Sequence, residues 1–205
     1  MSPLLHLRSI SHEQPAFSRL LGEKGFDTLQ VRDITEASFH NRAVILAEAH
    51  IDQRALMDWR DALEQHLRGG GLIVFNGHLA YPLFAQLPLF RVAQGRGRED
   101  LVIEQVAEHP VFDGVDCDNL SFRRGVAGFY ARGGNPMPAG AQLVHRLRKD
   151  GSEVDWIWQR PQGGTIFMHS GNNMWLYQHD ATSAARIAPQ LVNWMLDYAT
   201  RWRKQ

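Results

Sequence analysis

The sequence predicts a three-layer α/β fold in which helices cover both faces of a doubly wound, mainly parallel sheet. Short apolar segments alternate with amphipathic helical segments through the first half of the chain, and one of them, 43–47 (AVILA), is continuously apolar. Such a run is typical of a parallel strand that is buried on both faces. In the second half, Lys149-Asp150-Gly151-Ser152 joins two strand-like segments, and Asp-Gly favours a tight hairpin turn. We therefore expect an antiparallel hairpin that extends the sheet.

The predicted strands are short and end at glycines or polar residues. They are expected at 4–7, 28–31, 43–47, 72–75, 142–148, 153–158 and 165–168. Because side chains alternate along a strand, Val154, Trp156 and Trp158 are expected on one face of the sheet. No segment has the composition of a linker, so residues 1–205 are expected to form a single domain.

Two helices are predicted in the first half. The first begins with a capping box formed by Ser11 and Gln14 and ends at Gly25. The second begins after Asp52 and ends at the triple glycine 69–71. The apolar residues of this second helix recur at helical spacing, which predicts one continuous helix. They are Leu56, Trp59, Leu63 and Leu67.

The third predicted helix, 184–202, has an apolar arc of roughly 200°, which is wider than one sheet face covers. Val192 and Leu196 lie on the surplus part of the arc. Exposed apolar surface of this kind is often buried by another subunit, which predicts a homodimer. The chain's own segment 130–138 is the alternative cover.

Composition excludes several classes of partner. Lys plus Arg and Asp plus Glu both number 22, so the balance favours neither a nucleic acid nor an anionic membrane. Short basic clusters such as Arg96 with Arg98, Arg123 with Arg124, and 201–204 are expected to be solvated surface. The single cysteine, Cys117, excludes an internal disulfide, and no apolar run approaches about eighteen residues. We expect a soluble cytoplasmic protein.

Polar side chains follow the two strands predicted at 72–75 and 165–168. They are Asn76, His78, His169, Ser170, Asn172 and Asn173. Ligands bind at the carboxyl edge of open α/β sheets, and these side chains suit neutral polar groups such as sugar hydroxyls or amides. Trp175 could form a wall of such a pocket. The alternative is that the asparagines serve turns and the histidines bind buried backbone groups.

Three segments of the chain resemble the class I glutamine amidotransferase-like superfamily. They are 69–78 (GGGLIVFNGH), 108–115 (EHPVFDGV) and 164–171 (GTIFMHSG), in an order that covers about residues 40–175. The closest likeness is to non-glutaminase branches such as the trehalose-utilisation (ThuA-like) proteins. The resemblance implies a flavodoxin-like fold.

The same resemblance implies that glutaminase chemistry is absent. Phe75 lies where the family has its cysteine nucleophile, and Gly171 lies where it has a glutamate, although His169 matches the catalytic histidine. Hydrolysis of glutamine needs an activated thiolate, which phenylalanine cannot supply. Cys117 is a poor substitute because Asp116 and Asp118 flank it and disfavour a thiolate.

No cofactor or metal is expected. His6, His78 and His169 could meet at one edge of the sheet, but their spacing matches no metal motif and no acid completes the set. The glycine-rich segments 95–98 and 133–136 lack the features of a phosphate loop.

Two hypotheses for function remain at this point. The first is a non-catalytic domain that binds a polar small molecule or a partner protein. The second is an enzyme of unassigned chemistry, a carbohydrate hydrolase or isomerase, that uses His78 and His169. A histidine that acts as a base near neutral pH distinguishes the second hypothesis from the first.

Overall fold

Residues 2–9 and 15–204 are described from a computed structural model, with the side chain of Pro15 left out. The predicted capping box of Ser11 and Gln14 lies outside the described residues.

Seven of the twelve strands of the described chain lie at the predicted positions, and the other five, β5 to β9, were not predicted. The twelve strands are β1 (Leu4–Arg8), β2 (Asp27–Gln30), β3 (Val44–Ala47), β4 (Leu72–Asn76), β5 (Arg91–Val92), β6 (Ile103–Gln105), β7 (Phe122–Arg123), β8 (Val126–Ala127), β9 (Gly133–Gly134), β10 (Gln142–Leu147), β11 (Glu153–Gln159) and β12 (Thr165–His169).

The α-helices are short apart from the last one. They are α1 (Pro15–Glu23), α2 (Gln53–Met57), α3 (Arg60–Arg68), α4 (Cys117–Ser121) and α5 (Ile187–Trp202). Single turns of 3₁₀ helix lie at Val31–Asp33, Glu36–Phe39, Arg98–Leu101, Pro110–Phe112, Met174–Tyr177 and Ser183–Arg186. No helix of the described chain is long and apolar enough to cross a membrane.

The main sheet has eight strands in the order β2-β1-β3-β4-β12-β11-β10-β6. The first five are parallel, and their order is that of flavodoxin-like folds. Strands β11, β10 and β6 continue the sheet as antiparallel neighbours. The predicted fold class, a mainly parallel doubly wound sheet with an antiparallel hairpin extension, is confirmed.

Two apolar layers lie on opposite faces of this sheet. On one face α1 and α5 pack over residues such as Val44, Val74 and Phe167. On the other face α2 and α3 pack over Ile45, Phe75 and other residues of the alternate register. This alternation arises because successive side chains of a strand point to opposite faces, and both faces here are covered.

The single helix predicted after Asp52 is wrong, since the segment forms two helices. Trp59, between α2 and α3, has φ −105° and ψ 10°, and its N–H donates to the carbonyl of Leu56 at 3.0 Å. Trp59 packs on Phe39 with ring centroids 6.0 Å apart. Leu56, Leu63 and Leu67 still reach the same apolar layer, so the helical spacing located the buried face but not the break.

The prediction that Val154 shares a face with Trp156 and Trp158 is also wrong. Val154 packs in the layer under α1 and α5, whereas both tryptophans pack in the opposite layer. The pairing of β10 with β11 shifts twice, between Leu143 and His145 and again between His145 and Arg146. Each shift inserts one extra residue, first on β10 and then on β11, and a bulge of this kind redirects the side chains that follow it.

The surplus apolar arc of α5 is partly covered within the chain. Val192 is 1% exposed, while Leu196 is half-buried. The segments Pro110–Phe112 and Met174–Tyr177 are among the elements that contact α5. The argument for a homodimer therefore retains only Leu196.

Candidate functional site

The turn after β4 is built on a glycine that no other residue could replace without strain. Gly77 has φ 107°, and a Cβ there would lie 3.2 Å from Cα of Ala49. Its N–H donates to the carbonyl of His169 at 2.8 Å, which ties the ends of β4 and β12 together. The turn thus brings the residues after both strands to one edge of the sheet, as the sequence predicts.

Phe75, where the resemblance expects a nucleophile, has its side chain in the apolar core. Phe75 is 1% exposed and lies in the layer under α2 and α3. Its ring meets that of Phe84 edge-on, with centroids 6.1 Å apart. Phe75 is a core residue and contributes no polar group.

Gly171, at the position where the resemblance expects a glutamate, has no room for a side chain. A Cβ on Gly171 would lie 1.6 Å from the carbonyl oxygen of Tyr130. The close approach arises because Ala131 and Gly171 form an isolated antiparallel bridge.

His169 is completely buried and bonded at both ring nitrogens. Nδ1 lies 2.6 Å from Oδ1 of Asp155, and Nε2 lies 2.7 Å from the carbonyl oxygen of Asn172. Both partners are acceptors, and together they occupy both ring nitrogens. A ring held in this way has no free nitrogen with which to accept a proton from a substrate.

Asp155 is the centre of a buried polar cluster that the sequence did not suggest. Its Oδ2 accepts from Nδ1 of His145 at 2.8 Å and from the hydroxyl of Tyr130 at 2.8 Å, and its Oδ1 accepts from His169. All four residues are at most 1% exposed. We call Asp155, His145, His169 and Tyr130 the Asp155 cluster. The carboxylate has three donors, as a buried charge requires.

Burial and the hydrogen bonds within the cluster shift the pKa values of Asp155, His145 and Tyr130. Burial acts to raise the pKa of Asp155, but the charge of His169 and the hydrogen bonds from His145 and His169 outweigh it, so the pKa lies well below its ordinary value. Burial acts to lower the pKa of His145, but Asp155 and the thiol of Cys117 raise it to about 9. Burial and the neighbouring carboxylate raise the pKa of Tyr130 well above its usual range. At neutral pH, His145 and Asp155 therefore form a buried ion pair.

The asparagines and Ser170 also bind within the chain. Asn76 Nδ2 donates to the carbonyl of Ala47 at 3.0 Å, and Asn173 Oδ1 accepts from the N–H of Ala49 at 2.6 Å. Asn172 Nδ2 donates to the carbonyl of Phe129 at 2.7 Å. The Ser170 hydroxyl accepts from the N–H of Asn135 at 2.8 Å and donates to the carbonyl of Glu153 at 3.1 Å.

Trp175 lies in the core, 1% exposed, and its ring stacks on that of Phe17 with centroids 4.4 Å apart. His6 meets the edge of the same tryptophan at 6.1 Å and pairs with Glu48 at 3.2 Å. Among the described residues, no group of three histidine, cysteine or acidic side chains could hold a metal ion.

A cavity of about 420 Å³ opens at the ends of β4 and β12, and we call it the strand-end cavity. Its lining includes His50, Gln53, His78, Tyr130 and Asn172. Of the residues predicted for the site, only His78 and Asn172 line this cavity, although His169 lies directly behind Gly171 and Tyr130.

His78 is the exposed member of the predicted set. One face of its ring stacks on Phe90, with centroids 3.6 Å apart and planes 9° apart. Burial of that face and the nearby imidazoles of His50 and His169 lower the pKa of His78 below its ordinary value. The ring is therefore neutral at pH 7 and has nitrogens that can donate and accept hydrogen bonds.

Sequence reasoning missed Asp155, His145, Tyr130 and His50. Only Asp155 could have been noticed, because it is an acidic residue between apolar residues of a predicted strand. A charged residue that is buried in a strand is almost always paired with another polar group. The partners themselves come from β10 and from a loop, and nothing in their spacing indicates the pairing.

No protein-family model matches the chain, and no curated protein matches it in sequence. Several solved structures match it in fold. A cytoplasmic protein from Salmonella typhimurium (STM3548) is 12% identical with a TM-score of 0.59, and the match covers 95% of this chain and 98% of that one. The mmIFT52 N-terminal domain is 15% identical with a TM-score of 0.55, over 94% and 96% of the two chains.

A glutamine amidotransferase from Thermotoga maritima is 13% identical with a TM-score of 0.49, over 98% of both chains. Identities this low concern the fold alone. The Salmonella protein and the mmIFT52 domain share the α/β architecture of this chain over nearly its whole length.

Proposed function

We propose that this chain is a single glutamine amidotransferase-like domain over residues 1–205 that performs no glutaminase chemistry and binds a polar small molecule in the strand-end cavity. The proposal joins the sequence resemblance of segments 69–78, 108–115 and 164–171 to the geometry of the turn after β4. It places the chain with the non-glutaminase, ThuA-like branches as a pseudoenzyme.

One observation carries the non-catalytic part of the proposal. Phe75 is a core residue at the nucleophile position, and a side chain at Gly171 would collide with the carbonyl of Tyr130. Two of the three catalytic positions of a glutaminase therefore have no polar group and no room for one. Thiolate attack on an amide has no residue to perform it here.

The binding part rests on the strand-end cavity. Within the described residues, the rings of His50 and His78 make no hydrogen bond, and both line the cavity. His50 also has φ 61°, in the left-handed region that non-glycine residues rarely occupy. Backbone strain of this kind clusters at ligand sites, where surrounding contacts impose it. Two free imidazoles and a volume within the usual range for ligands support a polar small molecule.

The second candidate is an enzyme that uses His78 and His169, and the lowered pKa of His78 favours it. A neutral imidazole at pH 7 can act as a general base. The bonds at both ring nitrogens of His169 argue against a paired mechanism. Binding is therefore the function that the geometry supports best.

Thermal unfolding with and without neutral polar ligands tests the proposal. Glutamine, glucose and trehalose are the probes, and an ammonia-release assay with glutamine accompanies them. We expect at least one probe to raise the unfolding temperature of the wild type, with no ammonia released. His78→Ala should abolish the increase, whereas His179→Ala, an exposed histidine outside the cavity, should leave it unchanged.

Glutamine turnover that Cys117→Ser abolishes would overturn the non-catalytic assignment. Stabilisation by none of the probes would count against this site as a site for neutral polar molecules.

We place the protein in the cytoplasm, in line with the Salmonella neighbour, which is a cytoplasmic protein.

The homodimer stays a prediction that rests on the half-buried Leu196. Light scattering at micromolar concentration, with Leu196→Glu as the variant, tests it. A dimer mass that this variant reduces to a monomer supports the prediction, and a monomer mass in the wild type contradicts it.

A further inference from the structure

A second cavity, of about 550 Å³, adjoins the strand-end cavity and shares His78 and Arg132 with it. Arg96 and Arg98 also line this second cavity, together with Phe90 and Leu101. We call these six residues the arginine cleft. Three arginines from two separate segments of the chain thus line one concave space, although acidic and basic residues are equal in number in the whole sequence.

The three guanidinium groups have no charged partner of their own. Among residues 2–9 and 15–204, no carboxylate lies within 4.0 Å of a side-chain nitrogen of Arg96, Arg98 or Arg132. Other arginines of the chain do form such pairs, for example Arg123 with Asp180 and Arg160 with Glu64. The cleft therefore has a local excess of positive charge.

Two of these arginines are held in place by contacts that leave their terminal nitrogens free. The guanidinium of Arg98 lies 4.4 Å from the centre of the Phe122 ring. Arg132 Nε donates to the carbonyl of Gly128 at 3.0 Å. A guanidinium fixed at one point presents its remaining N–H groups in a defined direction.

Two acidic residues, Glu99 and Asp100, follow Arg98 in the sequence, and neither lies within 4.0 Å of a side-chain nitrogen of the three arginines. Asp100 pairs with Lys149 and accepts from the N–H of Gly97 at 2.9 Å. These bonds hold the pKa of Asp100 below its ordinary value, and they direct the carboxylate toward the backbone of its own loop.

The rest of the cleft lining includes aromatic and apolar groups. The rings of His78 and Phe90 are stacked on each other, and Leu101 is 6% exposed. Val92, at the rim, is 62% exposed. A ligand that matches this surface has an anionic part for the guanidinium groups and a ring-bearing part for the apolar wall.

We propose that the arginine cleft binds a small organic phosphate with two linked phosphate groups and a flat ring, of the nucleoside diphosphate class. Guanidinium forks match phosphate oxygens in bidentate pairs, and three of them fit a polyanion better than a single carboxylate. A concave site of this volume is typical of a small molecule, whereas nucleic-acid surfaces use extended basic stripes. The inference goes beyond the proposed function, because it concerns a second cavity and a ligand of a different chemical class.

Calorimetric titration of ADP, pyrophosphate and adenosine into the full chain tests the proposal. ADP should bind, pyrophosphate more weakly, and adenosine at least about tenfold more weakly than ADP, since each charged hydrogen bond contributes at least about a factor of ten. Arg96→Gln and Arg132→Gln should each raise the Kd of ADP by about tenfold or more. Arg201→Gln, an exposed arginine on α5, should leave it unchanged.

Raising the NaCl concentration should weaken ADP binding in the wild type, because exposed charges are screened. Arg132→Lys serves as a second variant: it keeps the charge but loses the fork, so it should bind ADP more weakly than the wild type and more tightly than Arg132→Gln.

The proposal is overturned if ADP does not bind, if adenosine binds as tightly as ADP, or if Arg96→Gln and Arg132→Gln leave the Kd unchanged. The two proposals fail separately. Stabilisation by a neutral probe without ADP binding overturns the phosphate inference and leaves the proposed function standing. ADP binding that Arg96→Gln weakens, without stabilisation by any neutral probe, supports the phosphate inference and counts against the proposed function.

Discussion

The Asp155 cluster and the arginine cleft each contribute a residue to the lining of the strand-end cavity, Tyr130 and His78 respectively, yet they differ in how their polar groups are bonded. In the Asp155 cluster, a buried carboxylate accepts from three donors, and His169 is bonded at both ring nitrogens. In the arginine cleft, three exposed guanidinium groups have no acidic partner among the described residues.

This difference in bonding distinguishes residues that stabilise the fold from residues that are available to bind a ligand. Polar groups that are buried and bonded to one another fix a fold, and breaking the set leaves an unpaired charge in the core. Polar groups that are exposed and fixed but lack a partner contribute little to folding and are free to bind a ligand. The histidine that resembles a catalytic residue, His169, belongs to the first kind, and His78 belongs to the second.

The largest effect is expected for Asp155→Asn. The change removes the carboxylate that pairs with the protonated His145 and leaves a buried cation, so the free energy of unfolding should fall by about 3–5 kcal/mol. Urea denaturation measures it. Asp197→Asn, on the exposed side of α5, is the control and should change the free energy of unfolding by less than about 0.5 kcal/mol. A loss below about 1 kcal/mol for Asp155→Asn would show that the cluster is not a structural unit.

The pH dependence of stability should be the next largest effect. The folded pKa of His145, about 9, lies above its ordinary value of 6.5, so its contribution is complete below pH 6.5 and is lost as the pH rises to 9. Asp155, whose folded pKa is lowered, stays charged throughout this window. Urea denaturation between pH 6.5 and 9 should show a fall of order 2–3 kcal/mol in the wild type.

His145→Gln is the matched variant for this experiment, because it keeps a donor for Asp155 but does not titrate. Its free energy of unfolding should change much less over the same window. Equal slopes in the two proteins would contradict the assignment of the pH dependence to His145.

Tyr130→Phe should have a smaller effect. The phenyl ring keeps the contacts with His169 and Tyr177, and only the hydroxyl that donates to Asp155 is lost. Since two donors remain on the carboxylate, we expect the free energy of unfolding to fall by about 1–2 kcal/mol. Thermal and urea unfolding check the value, and a loss as large as that of Asp155→Asn would mean that the three donors are not equivalent supports.

Arg132→Gln should have the smallest effect on stability. Its guanidinium is exposed and makes one hydrogen bond to the backbone, so the free energy of unfolding should change by less than about 0.5 kcal/mol. A destabilisation comparable to that of Tyr130→Phe would mean that Arg132 stabilises the fold. It would contradict the distinction between the Asp155 cluster and the arginine cleft.

The parallel half of the fold was predictable because four of its five strands, β1, β3, β4 and β12, are almost entirely buried. Continuous apolar runs such as 43–47 and the glycines at 69–71 mark where strands begin and helices end, and the structure has strands at those places. Local sequence suffices there, since each strand's burial follows from its own composition.

The antiparallel half was harder to predict, because two compensating bulges between β10 and β11 determine which face of the sheet each residue lies on. Val144 and His145 are adjacent, as are Val154 and Asp155, yet both members of each pair lie on the same side of the sheet. Alternation assigns such neighbours to opposite faces, so it could not bring His145 and Asp155 together.

The candidate site stays a prediction. The carboxyl-edge rule pointed to the ends of β4 and β12, and a cavity lies there with His78 and Asn172, of the predicted residues, in its lining. Arg96 and Arg98 were expected to be solvated surface. The sequence could not show that they line a cleft, because the third arginine, Arg132, is more than thirty residues away along the chain. Contacts between distant loops leave no periodic pattern in the sequence.

The most direct test is the increase in unfolding temperature that saturating ADP causes, measured side by side in the wild type, Tyr130→Phe and Arg132→Gln. A ligand that binds only the folded state stabilises it in proportion to its affinity. We predict that Tyr130→Phe unfolds at a lower temperature without ligand but keeps the full increase with ADP. We predict that Arg132→Gln unfolds at the wild-type temperature and loses the increase. The opposite pattern, in which Tyr130→Phe loses the increase and Arg132→Gln keeps it, would contradict the division between a structural cluster and a binding cleft.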